Sequence, residues 1–455
     1  PLVARVMKED TAEVAKQLRP AITQGVLALN QDSHYQFSHP RIRTTLYECT
    51  TDSFKQELHL AIARAMQQPA RQTGGQGSQR DTNGKRATEI AHHLNAATNP
   101  VDTAPTLRLE VAHSNLLAAR ESLHHNEFQY AYKFARSGLA LLGDDSHHSL
   151  HLELAECAGL AAFLCGDFDQ LQRVQNSAPD SSALRETRLR AAMVRNRLHE
   201  AVTEAKGGLQ QLQFPRSLKS SLTGMPLLAH RLIERAGLFP YLRSRKPLPK
   251  PLPEVQDAQF RQASRFVGYL AHAGFHMGDH AAAGLNEHIM SAAINKGYSG
   301  EVAFAFAVAA VGALRANLPE RAQHLTLQAK EIAEQFPQQA FSVRALVTVS
   351  GLVDPWFGNF DHTVRSLLEA AARSMALQDY EFAATAGAIY ATNGLLRGLE
   401  LGSLQRVIGE QINHVNQFHH VTGVNIQFFV LQIIASLLGQ PAQEQQVHEQ
   451  ARSIR

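Results

Sequence analysis

The sequence predicts a mainly α-helical protein, an α–α superhelix preceded by a small α+β segment. Three observations carry this. From Leu107 onward almost every segment has the apolar spacing of an amphipathic helix. A short turn motif recurs in register through that region. Ahead of it, residues 1–50 alternate helical and strand patterns.

Within residues 1–50, "LVARVM" and "TAEVAKQLRPAITQG" are helical, the second with Thr11 as N-cap, Glu13 in its first turn and Gly25 at its end. "VLALN" and "YQFS" read as two short strands flanking the polar "QDSH". A basic amphipathic helix follows, with Ile42, Leu46 and Tyr47 on one side. This is the element order of a winged helix. Residues 51–106 read as a helical linker, "FKQELHLAIARAMQQ" and "ATEIAHHLNAA", interrupted by a flexible loop at about 69–86. That loop is Gly-, Gln- and Arg-rich without apolar periodicity, so Arg71, Arg80, Lys85 and Arg86 are expected as the first protease sites.

The turn motif is small or polar, Asp/Asn/Glu, bulky apolar, two free residues, then small or apolar. It ends at Ala131, Leu171, Ala201, Ala283, Ala322 and Thr363. Twelve residues before these stand Ala119, Gly159, Leu189, Ala271, Ala310 and Gly351; seven after stand Gly138, Ala178, Gly208, Met290, Ala329 and Ala370. Two antiparallel helices joined by a tight turn need small residues where their backbones cross. The offsets match the tetratricopeptide unit of about 34 residues, spaced here by roughly 30 to 41. The chain thus divides into a first tetratricopeptide-like (TPR-like) array at 107–215, a proline-rich connector at 216–253 and a second array at 254–455. Pro247, Pro249, Pro251 and Pro253 forbid helix in the connector.

Apolar content of 44 % suits a globular interior, and a net charge of +3 is too small to argue for nucleic acid or an acidic membrane. Cys49, Cys157 and Cys165 form neither a metal pattern nor a disulfide framework, so a reducing, cytoplasmic setting is expected. No apolar run is long enough for a membrane span, and no signal peptide is present. A start at Pro1 reads as an internal piece of a longer protein.

The search for chemistry finds no active site. "GGQGSQRDTNGKRA" fails as a phosphate-binding loop: Gln79 stands where glycine is needed, and Arg86 stands at the magnesium-binding hydroxyl position. His272, His276 and His280 have i, i+4, i+8 spacing, as metal ligands on one helix face would. However, the repeat register puts His280 in a turn, which favours ordinary packing or surface histidines. His147, His148 and His151 cluster near a helix start, where adventitious metal is the most expected. His199-Glu200 and His448-Glu449 lack a phospho-acceptor context. No nucleophile elbow, metalloprotease helix or Cys/His/Asn set can be assembled. As a DNA-recognition helix "TAEVAKQLRPAIT" offers only Lys16 and Arg19, with Arg41 and Arg43 behind the wing, so packing and regulation are favoured. No residue is assigned as catalytic, cofactor-binding or metal-ligating.

Tyr35, Phe37, His39, Arg41, Ile42 and Tyr47, then Leu58, His59, Ile62, Ala63 and Arg64, then "EIAHHLNAA", resemble the joint that follows the nucleotide-binding domain in bacterial STAND-type signalling ATPases. Pro40 departs from an aspartate in that pattern. "PLPEVQDAQFRQASRFVGYL" and "LQDYEFAATAGAIYAT" resemble the later repeats of the same family. The resemblance implies a winged helix plus repeat region without the NTPase core, where ATP and magnesium would bind. It implies a non-catalytic sensor that binds a partner protein or small effector and contacts the NTPase intramolecularly. His39 would lie at the hinge of the joint, with Tyr35 and Phe37 on the wing packing against the helix of Ile42, Leu46 and Tyr47. One alternative is the inducer-binding region of a maltose-regulator-like activator. Another is a metal-dependent helical enzyme using His272, His276 and Asp279.

Overall fold

The computed structural model describes residues 1–30, 34–68, 79–98, 103–142, 148–178, 181–214, 252–278, 282–358, 360–416 and 421–440. Contacts divide the chain into two compact units, Pro1–Leu184 and Arg185–Arg455.

The first unit opens with α1 (Leu2–Met7), α2 (Thr11–Thr23), an antiparallel ribbon of β1 (Leu27–Leu29) and β2 (Tyr35–Phe37), and α3 (Pro40–Glu48). Asp10, one residue ahead of the expected Thr11, caps α2: its carboxylate accepts from the Ala12 N–H at 2.8 Å. Gly25, with φ of +71°, closes the helix, and Val26 N–H reaches back to Ala21 C=O. Leu27 faces Phe37 and Leu29 faces Tyr35, so one ribbon face is wholly apolar. The expected burial of that face against α3 does not occur. Tyr35, Phe37, Leu46 and Tyr47 all stay exposed, and α3 buries no residue, because three-residue strands and a nine-residue helix enclose too little volume.

Next come α4 (Asp52–Gln67) and α5 (Gln79–Ala97). Helix α5 begins inside the stretch expected as loop to residue 86. The reason is Arg86, whose guanidinium donates to Met66 C=O and, at 2.6 Å, to Gln68 C=O. It thereby occupies carbonyls that α4 leaves open at its C-terminus. Residues 69–78 lie outside the described residues. Four helices follow, α6 (Pro105–His124), α7 (Phe128–Leu141), α8 (His148–Leu164) and α9 (Phe168–Ser177). Asn95 and buried Asn115 exchange amide hydrogen bonds at 2.8 and 2.7 Å, which fixes the register of α5 on α6.

The second unit holds most of α10 (Ser182–Val194), then α11 (Leu198–Gln211), α12 (Ala258–Met277), α13 (Ala283–Lys296), α14 (Gly300–Arg315), α15 (Pro319–Gln335), α16 (Ala340–Leu352), a short 3-10 turn (Asp354–Phe357), α17 (Phe360–Ala376), α18 (Tyr380–Arg397), α19 (Leu401–Asn416) and α20 (Val421–Leu437). These are antiparallel hairpins in series, the expected α–α superhelix of TPR-like pairs.

The repeat register holds at atomic detail. The first residue of every motif turn, Asn126, Gly166, Asn196, Gly278, Asn317 and Gly358, has positive φ. In four of these turns the following N–H bonds back five residues: Glu127 to Ser122, Asp167 to Ala162, Arg197 to Ala192 and Leu318 to Ala313. The flanking small residues mark close crossings. A Cβ on Gly138 would stand 2.8 Å from Leu154, one on Gly159 2.8 Å from Leu184, and one on Gly351 2.5 Å from Ile389. Ala119, Ala131, Ala310, Ala322 and Ala329 are fully buried.

The connector expected at 216–253 is mostly outside the described residues, but its flanks pack on each other. A Cβ on Gly208 of α11 would stand 2.5 Å from the Phe266 ring of α12. Leu252 is held through its N–H and C=O by the Gln335 amide, at 3.3 and 3.0 Å. Val255 N–H bonds Tyr298 C=O, and Tyr298 N–H bonds Pro253 C=O. Gly297, with φ of +97°, permits this approach, since a Cβ there would stand 2.8 Å from the Glu254 backbone.

Candidate functional site: an ionic and aromatic seam between repeat helices

The first helices of successive hairpins, α12, α14, α16 and α18, meet through their side chains in the second unit. Arg344 near the start of α16 is fully enclosed there. Its guanidinium donates to both Asp379 carboxylate oxygens at 2.7 and 2.8 Å and to Glu381 Oε2 at 3.4 Å. It also lies 4.9, 4.7 and 4.5 Å from the ring centres of Tyr269, Phe341 and Phe382. Those rings touch edge to face: Tyr269 on Phe341 at 5.6 Å, and Phe304 on Phe341 at 5.7 Å and on Phe382 at 5.8 Å. Burial would lower the Arg344 pKa, but Asp379, Tyr269 and Glu381 outweigh it and hold the side chain firmly charged.

A second ionic group adjoins the first along α12. Buried Glu301 accepts from Arg265 at 2.9 Å and Arg261 at 3.3 Å. Arg265 also approaches Glu186 at 3.6 Å, and Tyr269 donates to Glu186 at 3.4 Å. Burial raises the Glu301 carboxyl; the Arg265 charge and hydrogen bond overcome that and leave its pKa below the usual carboxylate value. Burial pushes the Tyr269 hydroxyl upward.

Of the histidines singled out in the sequence, His272 and His276 do come together, with Nε2 atoms 3.1 Å apart. His272 is packed edge-on by Phe382, and its Nδ1 stands 3.7 Å from Glu381 Oε1. Asp279, His280, His147 and His448 lie outside the described residues. Among the described residues no group of three His, Cys, Asp or Glu could hold a metal ion. His199 is exposed on α11.

The joint residues behave differently from one another. His39 is the N-cap of α3, its Nδ1 accepting from Arg41 N–H at 3.1 Å, with Pro40 at the first helical position. Tyr47 and His59 meet: the hydroxyl lies 3.0 Å from His59 Nε2, and His59 Nδ1 lies 2.7 Å from His93 Nδ1. Burial, then neighbouring imidazoles, lower the pKa of His59 and His93. On α2, Lys16 pairs with Glu13 at 3.7 Å, so the candidate recognition helix carries little free positive charge.

Sequence reasoning missed the seam itself. Its signal was available in "QDYEFA": Gln378 has positive φ, Asp379 N–H bonds Ser374 C=O, and Asp379 and Glu381 then supply the partners of Arg344. Gln378 to Ala383 itself fits the motif (polar, Asp, bulky apolar, two free residues, Ala) and adds a seventh turn to the six above.

No known family's sequence profile matches the chain, and no curated protein does. Among solved structures it is similar to a STAND protein with a tetratricopeptide repeat sensor from Pyrococcus horikoshii, at 11% identity and a TM-score of 0.38, over 95% of this chain and 62% of that one. It is also similar to a Rap protein complexed with Competence and Sporulation Factor, at 11% identity and a TM-score of 0.37, over 85% and 98%. A circular tandem repeat protein matches at 11% identity and a TM-score of 0.21. The chain thus spans less than two thirds of the STAND protein's length. With TM-scores below 0.5, the helical-repeat assignment rests on this chain's own hairpins.

Proposed function

We propose that the chain is a non-catalytic helical-repeat module that binds a partner protein or small effector and regulates a larger signal-transduction ATPase. The observation that supports this most is the seam. Successive hairpins place arginine, carboxylate, imidazole and aromatic groups along one line, with Phe275 and His276 of α12 reaching solvent beside it. The enclosed seam fixes the hairpins on one another, and Phe275 and His276 at its edge are the groups left open to a partner. The exposed apolar ribbon face and α3 would contact the NTPase of the parent protein, in the winged-helix role. The weak positive charge of α2 favours a partner other than nucleic acid. Among the described residues no helix is long and apolar enough to cross a membrane.

The test uses this chain and its parent. The chain alone, incubated with ATP and magnesium, is expected to release no phosphate; turnover above background overturns the non-catalytic reading. In the intact parent, Phe37→Ala is expected to change ATPase control while the repeat array keeps its helicity by circular dichroism. Wild-type control in that variant removes the regulatory part.

A further inference from the structure

Helix α7, in the first unit, carries a cavity of about 280 Å³ lined by Tyr132, Lys133, Arg136, Ser137 and Ala140. Tyr132, Arg136 and Ala140 stand at i, i+4 and i+8, with Lys133 and Ser137 at i+1 and i+5, so two adjacent rows share one side of the helix. The polar lining is an ammonium, a guanidinium and two hydroxyls, all of which can donate. Among the described residues none of these four side chains has a hydrogen-bond or ion-pair partner. Lys133 and Arg136 are exposed like charges three residues apart, which repel each other, and no described carboxylate relieves them.

The Tyr132 ring packs on the core of the first unit, which anchors the side chain. Burial raises the pKa of its hydroxyl, Arg136 lowers it, Asp167 raises it and Arg173 lowers it; the result is above the usual tyrosine value, so the hydroxyl keeps its proton and can donate. Helix α9 thereby brings a further guanidinium, Arg173, to act on the same hydroxyl. The acid that acts there, Asp167, is already engaged as the cap of α9. Its carboxylate accepts from Gln170 N–H at 3.0 Å and from the Gln170 side-chain amide at 2.9 Å. The donors at the cavity are thus left without an anion. A phosphate dianion matches them: an arginine fork takes two oxygens, an ammonium adds a second charge, and hydroxyls serve the remaining lone pairs. A carboxylate offers two oxygens and one charge, fewer than these donors can use. The Tyr132 ring and Ala140 supply an apolar wall beside them, and the volume lies near the lower end of the roughly 300–1,000 Å³ of small-molecule sites.

We propose that the cavity on α7 binds a small phosphomonoester. Arg136 and Lys133 hold the phosphate, the Tyr132 and Ser137 hydroxyls donate to its oxygens, and the organic body lies along the Tyr132 ring and Ala140. This site is separate from the seam of the second unit, so its test does not depend on ATPase control.

The experiment is isothermal titration calorimetry of the full chain with phenyl phosphate, in a buffer free of phosphate and sulfate. Saturable binding of one molecule per chain is expected. Arg136→Gln and Lys133→Gln are each expected to weaken it by about ten-fold or more. Tyr132→Phe keeps the ring, removes only the hydroxyl, and is expected to weaken binding by about three-fold. Lys16→Gln on α2 should leave it unchanged. Circular dichroism checks that each variant keeps its helices; Lys133 and Arg136 are exposed, so their loss should not unfold the chain. No binding of phenyl phosphate, or binding unmoved by both Arg136→Gln and Lys133→Gln, overturns the proposal. Inorganic phosphate binding as tightly as phenyl phosphate makes the site one for an adventitious ion only, and benzoate binding as tightly removes the phosphate; either overturns it. Hexaglutamate displacing phenyl phosphate and binding more tightly than it assigns the cavity to an acidic peptide instead.

Discussion

Ala131 and Ala322 are fully enclosed at hairpin crossings, whereas Gln129 and Gln323 one turn face away are exposed. Leucine at either alanine is expected to destabilise by about 1–3 kcal/mol through overpacking, against about 0.5 kcal/mol or less at either glutamine, measured by urea unfolding. Arg344→Met should cost about 3–5 kcal/mol, since it leaves Asp379 and Glu381 buried without their cation. Glu301 sets an acid limit. Its carboxyl pKa is lowered in the folded state, so its stabilisation is present above the ordinary carboxylate value of about 4.3 and lost as pH falls through the folded value. Glu301→Gln should flatten the fall of melting temperature between pH 5 and pH 3. The alanines and glycines were readable in the sequence because steric need leaves few residue choices at a crossing. The seam was not. Arg344 and Glu381 look like any solvated pair of a helix surface until the rings from α12, α14 and α18 close over them.

At the scale of the element, turn geometry separates what was legible from what was not. Glycine and asparagine at positive φ made six turns visible in the sequence; Gln378 at φ of 57° adds a seventh, and Gly398 at φ of 77° closes a further helix end that the motif did not reach. Gln378→Gly should therefore stabilise the chain by about 0.5–1 kcal/mol by relieving the left-handed backbone. Gly358→Ala should cost about 1 kcal/mol, although a Cβ there would meet nothing within 4 Å. Thermal unfolding of the two variants checks both signs. The start of α5 was hidden for another reason: Arg86 organises it by reaching carbonyls of α4, a contact that no local pattern announces.

At the scale of the whole chain, the prolines before Leu252 suggest a border between two arrays, and contacts gather Arg185–Arg455 into one compact unit. Composition marks where helix is forbidden, not which helices share a core. Helix α11 lies on α12 through Gly208 and Phe266, and Phe214 packs on Phe260 at 6.4 Å. A fragment of residues 182–455 should therefore unfold in one cooperative transition. One beginning at residue 254 should lose cooperativity or melt lower, because it strips the cover from Phe260 and Phe266 and removes Leu252 from Gln335. Differential scanning calorimetry of the two fragments decides this, and equal melting temperatures would support a border at the prolines.

The left-handed turns also govern the order of assembly. Four of the motif hairpins are closed by a backbone bond spanning five residues, so their two helices can associate before distant parts of the chain have found each other. The seam obeys a different clock: Tyr269 with Glu186 is separated by 83 residues, and His272 meets α18 only across two intervening hairpins. Hairpins should form early and the seam late, so substitutions at the turns should slow refolding while those at Arg344 and Glu381 should chiefly hasten unfolding.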